Sequence, residues 1–180
     1  NRGRMVDFAG WVMPVQYSSI VSEHLGTRKA SGVFDVSHMG RVAIEGRQAT
    51  EWLESMLTRQ VSDLPVGRAR YTLITGVDGT ADKVQLDGAP VILDDALVTR
   101  LADQKDGAQR FILVVNASNR QRVVHWLEAR LPPEGVTISD TTEESAMIAV
   151  QGPRVFGHKK DDVLEGPLRS VFEERILEGK

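Results

Sequence analysis

The most constraining stretch of this chain is Phe111–Val115, five consecutive apolar residues set between Arg110 and Asn116. Ala146–Val150 is a second run of the same kind. Short apolar runs rich in branched side chains suit strands buried on both faces. Such strands need neighbours and a covering layer, so the rest of the chain must supply both. The spacing predicts further strands over Arg41–Glu45, Arg70–Thr75, Val91–Leu101 and Val136–Ser139. Asp78-Gly79 and Asp87-Gly88 read as tight hairpin turns, with a short strand, Lys83–Leu86, between them.

The covering layer comes from helices. Between Gln48 and Thr58, the residues Ala49, Trp52, Leu53, Met56 and Leu57 recur at i, i+3, i+4, i+7 and i+8, a full helical stripe. Val123, Val124, Leu127 and Leu131 make another over Ser118–Arg130. Ser118 with Gln121 forms a capping box at its start, and Pro132-Pro133 closes it. A third helix spans Ser19–Ala30, where Val21 and Leu25 share a face and Gly32 supplies a stop. Hairpin-joined strands with scattered helices predict an α+β fold with mixed or antiparallel sheets and packed helices.

Composition excludes several functions. The chain of 180 residues carries 22 basic and 25 acidic side chains, a formal charge of −3. Dedicated nucleic-acid binders carry a basic excess, so no nucleic-acid partner is expected. With no cysteine, these residues hold no disulfide, thiolate metal site or cysteine nucleophile. No segment approaches the roughly 20 apolar residues of a membrane span, so a soluble protein without a membrane partner is expected. The first residue is Asn1 and the first methionine Met5, as in a processed chain or a piece of a longer one. Asn1-Arg2-Gly3-Arg4 is too short for a signal n-region.

His24, His38, His125 and His158 show no ligand spacing, so no metal site is expected. Phosphate-cradling glycine loops and a nucleophile elbow are absent. Asp94-Asp95 stands out instead. Pro90–Leu93 precedes it and Ala96–Val98 follows, so strand alternation sends one carboxylate to each face. A carboxylate among branched apolar residues is costly unless paired or hydrogen-bonded. The pair is therefore either a functional site or a solvated bulge. Asn116, at a strand-to-helix junction, either faces a ligand or bonds its own backbone. Gly10–Pro14 reads as an apolar loop, and Asp35–Gly40 as a polar–apolar one. Either lines a pocket or packs.

Five blocks in order carry a family resemblance. They are Met5–Trp11 with Met13–Tyr17, Gly32–Gly40, Ile92-Leu93-Asp94-Asp95, Val114–Ala117 and Ile148–Pro153. Together they resemble the first half of the glycine cleavage system T-protein, the aminomethyltransferase family. The resemblance implies a folate-binding domain of the T-protein type over residues 1–153. Residues 154–180 read as a charged C-terminal segment with helical character. It implies tetrahydrofolate as co-substrate and lipoylated H-protein as partner. The reaction would move the methylene of H-protein's aminomethyl group to tetrahydrofolate and release ammonia, in the cytoplasm or in the mitochondrial matrix of a eukaryote. The family's key carboxylate maps to Asp95, and its folate-site residues to Met39, Asn116 and Tyr71. Relative to the family, about ten residues before Ile92 look inserted. They form an extra hairpin that leaves Asp95 in place, or they shift its strand register. The alternative readings are the folate-binding paralogue that maintains iron–sulfur proteins and the folate domain of a dimethylglycine or sarcosine oxidising enzyme. The paralogue is marked by a Lys-Gly-Cys-Tyr motif further along the chain, the oxidising enzyme by an attached flavin domain.

Overall fold

The computed structural model of the chain describes residues 3–77 and 90–155. The two Asp-Gly turns, the strand Lys83–Leu86 and nearly all of the charged segment 154–180 with its expected helical character lie outside those residues. In chain order the elements are β1 (Arg4–Phe8), β2 (Trp11–Gln16), α1 (Ile20–Lys29), β3 (Gly32–Asp35), β4 (Gly40–Gly46) and α2 (Ala49–Met56). Then follow β5 (Ala69–Val77), β6 (Pro90–Leu101), β7 (Gln109–Val115), a 3-10 turn (Ala117–Asn119), α3 (Arg120–Glu128), β8 (Thr137–Asp140) and β9 (Ile148–Gln151). They fall into two units, one reaching to Val36 and resuming at Ala146, the other running from Ser37 to Ser145.

The first unit contains the hairpin β1–β2, in which Phe8 pairs with Trp11. Ala9 and Gly10 between them have φ of 52° and 81°. Positive φ at both central positions suits the right-handed twist of a two-residue hairpin. Gly10–Pro14, expected as a loop, is thus mostly the strand β2. The cue was obscured because Trp11, Val12 and Met13 do not alternate with polar residues. Helix α1 starts where expected. Ser19 Oγ accepts from Ser22 N at 3.5 Å, and Glu23 accepts from the N–H groups of Tyr17 and Ser18 at 2.8 and 2.5 Å. The helix runs to Lys29 with Ala30 as its C-cap, as expected, and Gly32 just beyond it opens β3. No residue of α1 is buried. β9 was expected to be covered on both faces. Among the described residues it pairs with β3 alone, and its side chains are exposed or half-buried.

The second unit is a five-stranded antiparallel sheet in the order β5-β6-β7-β4-β8. Phe111–Val115 lies in its central strand, flanked by β6 and β4. One face packs on α2 and α3. Leu53, Val123 and Leu127 from the helices meet Val42, Phe111 and Leu113 from the sheet in one buried cluster. Trp52 Nε1 donates to Arg130 O at 2.9 Å and ties α2 to the end of α3. The capping box expected at Ser118 does not form. Ser118 lies in the 3-10 turn and the N-cap is Asn119, which makes no side-chain cap bond because its amide is turned toward β6.

A bulge in β6 decides which residues meet the helices. Ile74 pairs with Asp94 but Thr75 pairs with Ile92, so Leu93 has no partner on β5. The extra residue lets the adjacent Leu93 and Asp94 both be buried, while Ile92 and Asp95 are exposed.

Candidate active site

The two aspartates separate to opposite faces, as alternation predicts. Asp94 turns toward the helices and is 3% exposed. Asp95 turns to the face opposite α2 and α3, with Leu97 and Tyr71.

Asp94 is a buried carboxylate with three donors. Its Oδ2 accepts from Asn116 N at 2.8 Å. Its Oδ1 accepts from Asn116 Nδ2 at 2.9 Å and from Asn119 Nδ2 at 2.7 Å. That set meets the requirement for keeping a charge among apolar neighbours. Asn119 is fixed in turn, since its Oδ1 accepts from Arg122 at 3.2 Å. The Arg122 guanidinium also donates to the carbonyl of Leu93, the residue extruded at the bulge.

Asp95 receives two different donors on the other face. Tyr71 Oη donates to its Oδ2 at 2.8 Å, and Asn116 Nδ2 donates to its Oδ1 at 2.7 Å. The Tyr71 hydroxyl, and after it Asn116, hold the Asp95 carboxyl below the usual carboxylate range. The same bond to Asp95 pushes the Tyr71 phenol up. Tyr71 is 60% exposed and presents its ring to this face.

Strand register explains why these residues meet. Leu97 pairs with Val114, so the β6–β7 ladder continued past its end sets Asp95 opposite Asn116. Asn116 is still extended, with φ −67° and ψ 141°. On the other side of β6, Asp95 pairs with Leu73. Gly40 pairs with Val115, so the bend that holds Met39 and the extended Asn116 each follow directly on the same end of the β4–β7 ladder. One row across the sheet thus reads Asn116, Asp95, Leu73. The next reads Arg41, Val114, Leu97, Tyr71.

Arg41 anchors the Met39 end. It is 6% exposed. Its Nη1 donates to Ser37 O at 2.9 Å and Met39 O at 2.6 Å. Its Nη2 donates to Ser145 O at 2.7 Å and to Thr142 O. A forked guanidinium suits several carbonyls at once, which a lysine cannot match. Met39 itself is half-buried in the bend before β4.

The structure therefore joins Tyr71, Asp95 and Asn116 in one hydrogen-bonded group, while Met39 lies in the bend just before Gly40 and, among the described residues, makes no hydrogen bond to them. Sequence reasoning left Asn119, Arg122 and Arg41 unassigned. The cues were faint: Asn119 and Arg122 follow Asn116 at intervals of three, and Arg41 is a lone cation at the start of a mostly apolar strand. Among the described residues no group of three or more His, Cys, Asp or Glu could hold a metal ion, and no helix is long and apolar enough to cross a membrane.

An antiparallel sheet packed on two helices, with a carboxylate, an amide and a phenol hydrogen-bonded together on its other face, defines an α+β domain that carries a polar side-chain cluster on the sheet. The family described as the GCVT N-terminal domain matches residues 1–157, and the chain belongs to that family. It is 40% identical over 154 residues to an aminomethyltransferase of Chlorobaculum parvum, covering 85% of this chain and 38% of that protein. It is 36% identical over 151 residues to an aminomethyltransferase of Thermotoga neapolitana, covering 84% and 37%. The crystal structure of glycine cleavage system aminomethyltransferase T from Bartonella henselae superposes with a TM-score of 0.65 at 35% identity, over 84% of this chain and 37% of that one. The chain spans about two fifths of the length of the curated relatives it matches. The α+β fold expected from the sequence is the one observed.

Proposed function

We propose that the protein to which this chain belongs transfers the methylene of an aminomethyl group from lipoylated H-protein to tetrahydrofolate, as the aminomethyltransferase of the glycine cleavage system. Membership of the family and the names of its relatives support the reaction class. The observation that carries the site assignment is the Asp95 carboxyl, held below its ordinary range by Tyr71 and Asn116 on the sheet face opposite α2 and α3.

The reaction breaks the carbon–sulfur and carbon–nitrogen bonds of the aminomethyl thioether. It forms two bonds from that carbon to folate nitrogens. The two protons leaving those nitrogens balance the thiol on the lipoyl arm and the third hydrogen of ammonia. When carbon–sulfur cleavage runs ahead of attack, the carbon becomes iminium-like and positive. A fixed carboxylate beside it lowers that state's energy. Asp95 fits this role better than that of a proton store, since a carboxyl held below its ordinary range is a weak base at neutral pH. Asn116 would meet a polar edge of the pterin. Tyr71 and Met39 would supply its less polar walls. The reading includes the region 1–153 as the folate-binding part, 154–180 as a charged extension, no metal, and a cytoplasmic or mitochondrial-matrix location.

The direct test supplies the full protein with H-protein loaded with the aminomethyl group. Ammonia and methylenetetrahydrofolate should appear together, and only with tetrahydrofolate present. Ammonia release at the same rate without tetrahydrofolate would overturn the reading.

A further inference from the structure

We propose that Asp94 is a positioning residue that fixes the Asn116 amide with its carbonyl oxygen outward, so that the site presents only acceptors and selects a reduced pterin over an oxidised one. This rests on the folate reading above.

Asn116 Nδ2 has two hydrogens, and both are committed. One side meets Asp94 Oδ1 at 2.9 Å, and the other meets Asp95 Oδ1 at 2.7 Å. Rotating the amide by half a turn would press its carbonyl oxygen against two carboxylate oxygens, so the network admits one orientation. Asn116 Oδ1 accepts nothing among the described residues. With Asp95 beside it, the group offers a ligand a carboxylate and an amide carbonyl, both acceptors. A tetrahydropterin carries N–H donors on its reduced ring. The oxidised ring has bare nitrogen acceptors there, which would face acceptor oxygens.

Asp94 is the part of this arrangement that never needs to touch the ligand. It is buried on the helix side, and it also holds the main-chain N–H of Asn116 at 2.8 Å. Changing it to asparagine places an NH2 group either against the Asn116 main-chain N–H or against the two side-chain amides of Asn116 and Asn119. Either way a donor meets a donor, and the Asn116 amide loses its single preferred orientation.

The experiment uses the full protein in two arms. In the first, asparagine is labelled with 15N and side-chain amide exchange is read by NMR. Asn116 Nδ2 protons should exchange slowly in the parent and about tenfold faster in Asp94→Asn. In the second, tetrahydrofolate and folate are each titrated calorimetrically. The parent should prefer tetrahydrofolate, and Asp94→Asn should lower that preference by about tenfold. General loosening would weaken both ligands alike and leave the ratio unchanged. That result, or unaltered Asn116 exchange, overturns the inference. If the parent binds neither ligand, the folate reading fails, and amide exchange still decides whether Asp94 holds Asn116. If Asp94→Asn does not fold, Asn119→Ala removes one donor to Asp94. Faster Asn116 exchange in that variant supports the hold, and unchanged exchange overturns it.

Discussion

Tyr71 and Asp95 illustrate how one hydrogen bond sets a site's charge. The phenol is the largest cause holding the Asp95 carboxyl low. Tyr71→Phe removes it and leaves Asn116, so the Asp95 carboxyl should titrate nearer its ordinary 3.8. The shift should be upward, read from the side-chain carboxyl carbon by NMR. An unchanged titration would remove Tyr71 from the account. At this scale much was legible in the chain. The embedded Asp94-Asp95 pair marked itself by its apolar neighbours, and alternation sent the two carboxyls to opposite faces. What could not be read was which partner each would find. Asn116 serves both, and that depends on a register 21 and 22 residues away in sequence.

At the scale of elements, strand pairing and two anchors place the site residues. The helical stripe of α3 packs Leu127, fully buried, against the helix-covered face of the sheet. Leu127→Ala should cost about 2–5 kcal/mol in denaturant unfolding. The second anchor is Arg41, whose guanidinium bridges the bend holding Ser37 and Met39 to the stretch holding Thr142 and Ser145. Arg41→Met would leave those carbonyls without their donor and should cost about 2–4 kcal/mol by the same measurement, a loss near zero contradicting the anchoring role. Helix stripes and the central strand were evident from periodicity. The hairpin β1–β2 was not, because its second strand does not alternate. The capping box at Ser118 misled for a different reason. A local motif promised a cap, but the buried Asp94 carboxylate drew the neighbouring Asn119 amide to itself. Coverage of β9 was equally beyond reach, since an apolar run says nothing about how many strands will flank it.

Across the molecule, several carboxyls hold their protons less tightly folded than unfolded. Glu23 and Glu54 lie below their ordinary 4.5, and Asp63 and Asp95 below 3.8. The causes are local donors: the Ser18 main-chain N–H on Glu23, Ser62 on Glu54, Arg70 on Asp63 and Tyr71 on Asp95. Each such group stabilises the fold while ionised. As pH falls through the ordinary values, the unfolded chain takes up protons first and stability drops. Thermal unfolding should therefore show a flat midpoint near neutrality and a decline that sets in below about pH 5. A midpoint that rose on acidification would contradict the four assignments taken together.

The proposed reaction requires Asp95 to act on the one-carbon unit at the sheet face opposite α2 and α3. The measurement that bears on it most directly is the rate of methylenetetrahydrofolate formation by the full protein carrying Asp95→Asn, with saturating tetrahydrofolate and loaded H-protein. Asparagine keeps the size of the side chain and removes its charge. The rate should fall by about 100-fold or more while the unfolding midpoint stays near that of the parent. A rate within about twofold of the parent would show that the charge at Asp95 does not serve the reaction.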